Sequence, residues 1–299
     1  MAVTVSEHVS PRDVPARQPL LGQRRLRNLH RLMVYTVLAL LAVLFLLPFF
    51  WMVSTSLKEQ NEVFTYPPSF FPTSFQWENY RDGWTILPFT TALRNSLIVT
   101  TASVIGNLVS CTLVAYGFAR LRGRGKNFLF LLMLATIMIP REVTIVPRFI
   151  LFSELGLVNT FWPLILPAWF GWPFFIFLLR QFFMTIPRDL DDAAKIDGAS
   201  HLRILWDIII PLSKPALATV AVFAFIGNWT NVLDPLIYIR STDLYTLPLM
   251  LNQFRGPQFT QYNWLMAVSI LTVIPVMIIF FVAQRTFVRG VTLTGVGGR

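Results

Sequence analysis

Residues 32–53 read LMVYTVLALLAVLFLLPFFWMV, with no charged residue among them. A helix needs about 20 apolar residues to cross the hydrocarbon core of a bilayer, and this run is long enough. It is too long for the apolar core of a secretion signal and lacks a small-residue cleavage site, so it is expected to stay in the mature protein. Five further stretches meet the same test: Leu97–Gly117, Phe128–Pro140 continued through REVTIVP to Pro147, Phe161–Phe183, Pro215–Ile239 and Trp264–Ala283. The third is the least regular, because Arg141 and Glu142 interrupt it; they read as its outer end, where long side chains reach water. The expected fold class is an all-α integral membrane protein with six transmembrane helices.

Composition agrees. Of 299 residues 55% are hydrophobic and only 13% charged, against the roughly 25% usual in soluble domains. The net charge of +10 raises nucleic acid as a partner, but the apolar runs argue against it, since basic residues flanking membrane spans give the same total. Threading six spans puts eighteen of the 25 Lys and Arg residues on one side: in the tail, the 2–3 loop, the 4–5 connection and the C-terminus. That richer side is cytoplasmic, so both termini are expected inside. Residues 1–31, with six arginines, read as a flexible cytoplasmic tail, helical near Arg24–Arg31, and residues 32–299 as the transmembrane domain. The long outer connection, residues 54–93, contains FTYPPSFFPTSFQWENY, whose Pro and aromatic density predicts an ordered cap or short interfacial segments rather than a free linker. Cys111, the lone cysteine, excludes a disulfide framework and reads as a packing residue.

The densest acidic cluster sits inside, in residues 184–214, around DDAAKIDGAS at 191–200. Asp189 is placed to cap a short helix, and Asp191 and Asp192 fall in its first turn, where carboxylates meet the positive helix end. Gly198 supplies the left-handed residue that closes the helix, and Ser200 caps the next one. Pro211 and Pro215 limit where the fifth span begins. Ala193 and Ala194 allow close approach of another surface, Leu190 and Ile196 offer apolar contact, and Asp192 and Asp197 offer charge. Such residues fit a solvated, self-capping loop as well as a docking helix.

A resemblance favours docking. Asp192-Ala193-Ala194, Asp197-Gly198-Ala199 and Ile210-Pro211-Leu212 resemble the cytoplasmic signature of binding-protein-dependent ABC importers: Glu-Ala-Ala, two variable residues, Asp-Gly-Ala, then Ile and Leu-Pro downstream. Asp192 stands where Glu is usual, one methylene shorter. LLPFFWMVSTSLK, NSLIVT, AYGFARLRGRGK, IPREVTIVPRFILFSELGLVNTFWPLILP, LLRQFFMTIPRDL and FVRGVTLTGVGG follow in the order seen in carbohydrate importer permeases similar to the second maltose-type or glycerol-phosphate-type subunit. The likeness runs from Met33 to the end.

It implies a type I ABC importer transmembrane domain in a bacterial or archaeal cell (inner) membrane, carrying a sugar, a polyol-type solute or a glycerol phosphodiester. Asp192, Ala193, Ala194, Asp197, Gly198 and Ala199 would couple to a cytoplasmic ATPase. The implied partners are a second homologous permease, two ATPase subunits that hold ATP and Mg, and an extracytoplasmic solute-binding protein. No cofactor is expected on this chain: it has no G-x-x-x-x-G-K-[ST] loop, and GRGKN at 123–127 lacks the spacing and the hydroxyl.

Span five holds FIGNWTNVLDPLIYI, where Gly227 and Pro235 can bend the helix. Asn228, Trp229 and Asn231 form a candidate substrate path, since sugars are held by hydrogen bonds and aromatic faces; interhelical hydrogen bonding with an interfacial Trp is the competing explanation. Related permeases carry Trp-Asn-Asp/Glu where this chain has Trp229-Thr230-Asn231, which removes a carboxylate. An intramembrane enzyme fits poorly: His8, His30 and His201 are all cytoplasmic, and neither H-E-x-x-H nor G-x-S-x-G occurs. A secondary transporter stays open as the alternative, with Pro167, Gly171 and Pro173 breaking span four, although no internal repeat is found.

Overall fold

The structure, a computed structural model, describes the backbone of residues 21–254 and 261–294 and the side chains of residues 27–254 and 261–284. Residues 1–20 of the expected tail at 1–31, and all the side chains of the FVRGVTLTGVGG motif, lie outside the described residues. Two compact units divide the chain, residues 1–51 and 52–299. In the first, α1 (Leu21–Ser56) begins; from Leu32 through Phe50 its apolar side chains are exposed all round the helix, as suits a lipid-facing element.

The second unit continues as α2 (Gln60–Val63), α3 (Glu78–Thr85), α4 (Phe89–Arg120), α5 (Lys126–Ala135), α6 (Arg141–Glu154), α7 (Trp162–Trp169) and α8 (Pro173–Thr185). After them come α9 (Asp189–Ile196), α10 (His201–Ile204), α11 (Ile210–Leu212), α12 (Lys214–Trp229), α13 (Leu233–Tyr238), α14 (Leu247–Gln253) and α15 (Tyr262–Thr294). Four segments are long and apolar enough to cross a membrane: α1, α4, α7–α8 and α15. Two bent pairs, α5–α6 and α10–α12, bring the number to six if each counts as one span.

The bends revise two of the expected spans. The third does not continue straight through REVTIVP: it turns by 98° at Pro140. Proline disfavours helical backbone in the residue before it, and Ile139 is extended there (φ −78°, ψ 114°). The fifth ends its helix at Trp229, ten residues short of Ile239. Asn231 Oδ1 takes the backbone N–H of Asp234 (3.2 Å), and Pro235 removes a donor, so the main chain cannot run on as one helix. Below α12, an 81° bend at Ser213 falls between Pro211 and Pro215, as those prolines predict.

α4 is the central element, packed against α7, α8 and α12. Small and polar residues at helical spacing, Ser96, Thr100, Ser103, Asn107, Cys111 and Ala115, are buried along it and let the neighbouring backbones come close. Gly106 marks the tightest point. A Cβ there would lie 2.6 Å from Trp169 Cδ1, so the indole of α7 occupies the space a side chain would need. At the inner end, Cys111, Ala115 and Ala119 of α4 join Leu179 and Phe183 of α8 and Ile204, Leu205 and Ile209 of the 4–5 connection in one apolar cluster.

The connection between α1 and α4 is ordered by hydrogen bonds of its own and to α15. Lys58 is buried, with Nζ donating to the Ser69 carbonyl. Glu62 accepts from Thr73 N (3.1 Å), Thr73 Oγ1 (3.1 Å) and Ser69 Oγ (3.1 Å). Asn79 and Asn263 join the cap to α15 through a 3.0 Å bond. One element was not foreseen from the sequence: α14 is tucked against α4 and α15, with Leu247, Leu249 and Met250 buried. Asn95 Nδ2 donates to the carbonyls of Asp243 (2.7 Å) and Tyr245 (3.0 Å), and Ser96 Oγ accepts from Leu247 N (2.7 Å).

Candidate functional site

Two places carry the candidate residues: the α9–α10 segment at the inner end and a small polar cleft beside α4.

α9 begins at Asp189 itself, with Arg188 at the capping position and no side-chain cap bond, so Asp189 is a first-turn residue rather than the cap. Three carboxylates in that turn, Asp189, Asp191 and Asp192, complement the positive helix end. Gly198 closes the helix at φ +79°. Its N–H donates to the Lys195 carbonyl (3.0 Å) and that of Ala199 to the Ala194 carbonyl (2.9 Å), the double bond of a Schellman ending. Ser200 caps α10 by accepting from Arg203 N (3.3 Å).

The six predicted coupling residues divide between two faces. Asp192, Ala193, Asp197 and Gly198 are exposed; Asp192 holds only Lys195 (3.0 Å), three residues on. Ala194 and Ala199 are half-buried and pack on the apolar cluster at the inner end. Ala194 is therefore not part of the open surface that the sequence expectation gave it. Beside the exposed four stand two large apolar side chains, Ile196 at 87% exposure and Leu202 at 62%. Leaving an Ile in water forgoes roughly 2 kcal/mol of burial.

Asp191, expected as a mere first-turn carboxylate, is buried and pairs with Arg120 of α4 at 3.4 Å (Nη1 to Oδ2). Arg120 Nη2 also donates to the carbonyls of Phe183 (2.7 Å) and Ile186 (2.8 Å) at the end of α8. An arginine at the cytoplasmic end of a span gives no sequence signal beyond inside-positive charge, so this link was invisible before folding. An open cavity of about 620 Å³ lies beside it, with the basic side chains of Arg122, Arg188 and His201 on its walls.

The three predicted path residues are separated. Asn228 and Asn231 line a narrow cleft of about 10 Å³, room for about one water, with Ser96, Thr100 and Thr246 as its other polar walls. Thr246 Oγ1 is buried there without a protein hydrogen bond. Trp229 is 3% exposed and packs away from it, stacked on Phe225 (5.3 Å), with Nε1 donating to the Thr272 carbonyl of α15 (3.0 Å). Packing and one hydrogen bond account for its whole surface. Asn231 Nδ2 donates to Asp234 Oδ2 (2.7 Å), and the same carboxylate takes Arg141 at the break of the third span. The signal that could have found Ser96 and Thr100 is their four-residue spacing on one face of α4; nothing local marks Thr246.

Comparison with known proteins shows the family. Residues 104–293 match the family described as "Binding-protein-dependent transport system inner membrane component". The chain is 31% identical over 293 residues to the probable ABC transporter permease protein YurM of Bacillus subtilis, covering 98% of this chain and 94% of that one. It is 39% identical over 204 residues to the arabinooligosaccharides transport system permease protein AraQ of Halalkalibacterium halodurans (68% and 73% covered). To the sn-glycerol-3-phosphate transport system permease protein UgpE of Pectobacterium atrosepticum it is 36% identical over 265 residues (86% and 93% covered). Its fold matches a chain in the crystal structure of a bacterial ABC transporter involved in import of the acidic polysaccharide alginate, with a TM-score of 0.77 at 23% identity, over 87% of this chain and 97% of that one.

Proposed function

This chain belongs to the family of binding-protein-dependent transport inner membrane components, multi-pass membrane permeases, and we propose that it is one permease subunit of an ATP-driven importer for a sugar or a related polyol or glycerol-phosphate solute. Relatives named for arabinooligosaccharides, galactooligosaccharides and sn-glycerol-3-phosphate support that cargo class. On this reading a second, homologous permease completes the pathway and a solute-binding protein delivers cargo to the outer face, where the ordered cap of residues 54–93 helps receive it. Two separate ATPase subunits bind ATP with Mg and supply the energy.

The observation that carries the proposal is the exposed face of α9. Asp192, Ala193, Asp197 and Gly198 leave a low-relief surface flanked by Ile196 and Leu202, side chains that water disfavours and a cleft on a cytosolic ATPase would cover. Ala194 and Ala199 serve the same coupling from the inner side, by seating the helix on the spans. Asn228 and Asn231, with Thr246, are assigned to the solute path, whose 10 Å³ cleft would open as the spans move.

Co-expression of the chain with the ATPase encoded beside it, and a photo-crosslinking residue at position 196, tests the docking. Crosslinks to the ATPase are expected in a complex that takes up solute. An active complex that never yields one would exclude the assignment.

A further inference from the structure

We propose that Arg120 is the residue through which displacement of the docking helix reaches the membrane spans, a positioning residue that locks α9, α4 and α8 into one moving body; this rests on α9 being the segment an ATPase grips. One planar guanidinium meets all three elements. It is the last residue of α4; Nη1 lies 3.4 Å from Asp191 Oδ2 in α9; and Nη2 donates to the Phe183 and Ile186 carbonyls (2.7 and 2.8 Å), where α8 runs out of helical donors. Both side chains of the ion pair are buried, at 3% and 8% exposure.

Stability alone does not explain such a pair. Arg120 Nε and Asp191 Oδ1 are buried without hydrogen bonds, so the desolvation of two charges is incompletely repaid. An apolar pair of similar volume is commonly as stable or more so in such a place. What the charged fork adds is direction: several donors held in one rigid plane fix the angle and distance between the elements. Beside this ion pair, Ala194 and Ala199 pack on the apolar cluster at the inner end, a contact without the directionality of a hydrogen bond. A pull on α9 then turns α4, and α4 carries Ser96 and Thr100 on the wall of the polar cleft. The coupling therefore has a two-ended physical route: a gripped helix, a rigid link and a helix that lines the solute path.

The test compares wild type, Arg120→Lys, Arg120→Ala and Asp191→Asn in the complete importer, purified and reconstituted into vesicles, with solute uptake and ATP hydrolysis measured on the same preparation. Loss of the link is expected to leave the ATPase bound and hydrolysing while solute moved per ATP falls by about ten-fold, within the range of single-residue coupling effects. Arg120→Lys, which keeps the charge but not the fork, is expected between wild type and Arg120→Ala. An unchanged ratio of uptake to hydrolysis overturns the proposal, even if the melting temperature drops, because a purely structural role would lower both activities together. If Arg120→Ala fails to assemble, the isosteric Asp191→Asn decides; if neither assembles, the pair is a folding requirement and the proposal fails. Failure of the docking reading has its own signature, a wild-type complex that gives no ATPase crosslink from position 196.

Discussion

Gly198 sets the exit angle of α9, and its substitutions should rank by backbone chemistry alone. At φ +79° it has no atom within 4 Å of where a Cβ would stand, so Gly198→Ala meets no clash. The cost of that change is conformational: holding an L-residue in the left-handed region takes about 1–2 kcal/mol. At about 1.4 kcal/mol, the closed Schellman ending loses roughly ten-fold in population relative to frayed alternatives. Gly198→Asn should cost less, because Asn visits that region more readily. Gly198→Pro is the severe case. Its ring fixes φ near −65°, about 140° from the native angle, and it removes the N–H that bonds the Lys195 carbonyl. It also disfavours the near-helical backbone of Asp197 (φ −75°, ψ 6°), so the penalty reaches about 3 kcal/mol or more. ATP-driven uptake into vesicles should fall in the order wild type, Asn, Ala, Pro, with membrane insertion unaffected because residue 198 lies outside every span. Uptake by Gly198→Pro equal to wild type would refute the role given to this turn.

Three further outcomes follow from the same coordinates. Ile196→Ser should weaken ATPase binding by ~30-fold, since covering a side chain now 87% exposed is worth roughly 2 kcal/mol; surface binding assays with the detergent-solubilised chain measure it, and unchanged affinity would place the contact elsewhere. Gly106→Ala should lower thermal stability in detergent by about 1–3 kcal/mol, because the new methyl meets the Trp169 ring at 2.6 Å; Gly106→Ala combined with Trp169→Leu should recover most of it. Trp229→Phe should cost about 1 kcal/mol through the lost bond to the Thr272 carbonyl and leave the concentration dependence of uptake unchanged; a shifted half-saturation would return Trp229 to the solute path.

Of the candidate site, the parts written in local chemistry were legible in the chain: the left-handed Gly198, the cap at Ser200 and the bend set by Pro211 and Pro215 all stand where a few neighbouring residues dictate. Asp189 missed its capping place by one residue, a boundary decided by where α8 releases the chain. Ala194 and Ala199 look identical to Ala193 in sequence, and only the tertiary packing against the inner apolar cluster half-buried the first two and left the third exposed. Trp229 was left between two readings for the same kind of reason. An aromatic between two asparagines fits a sugar platform, but the end of α12 at that residue rotates the ring toward α15 and the amides toward the cleft.

What the amino-acid sequence determined by itself was the solvent the chain is built for and where its apolar segments lie, because hydrophobic length is a sum over neighbouring residues that no partner alters. What tertiary structure decided was which charges are buried. Lys58, Arg120, Asp191 and Asp234 carry no local sign of burial, yet each is enclosed: Arg120 meets Asp191 and Asp234 meets Arg141 in elements tens of residues away, and Lys58 Nζ meets the Ser69 carbonyl. A charge enters a low-dielectric interior only when an opposite charge or a set of carbonyls waits there, and whether one waits depends on which helices pack together.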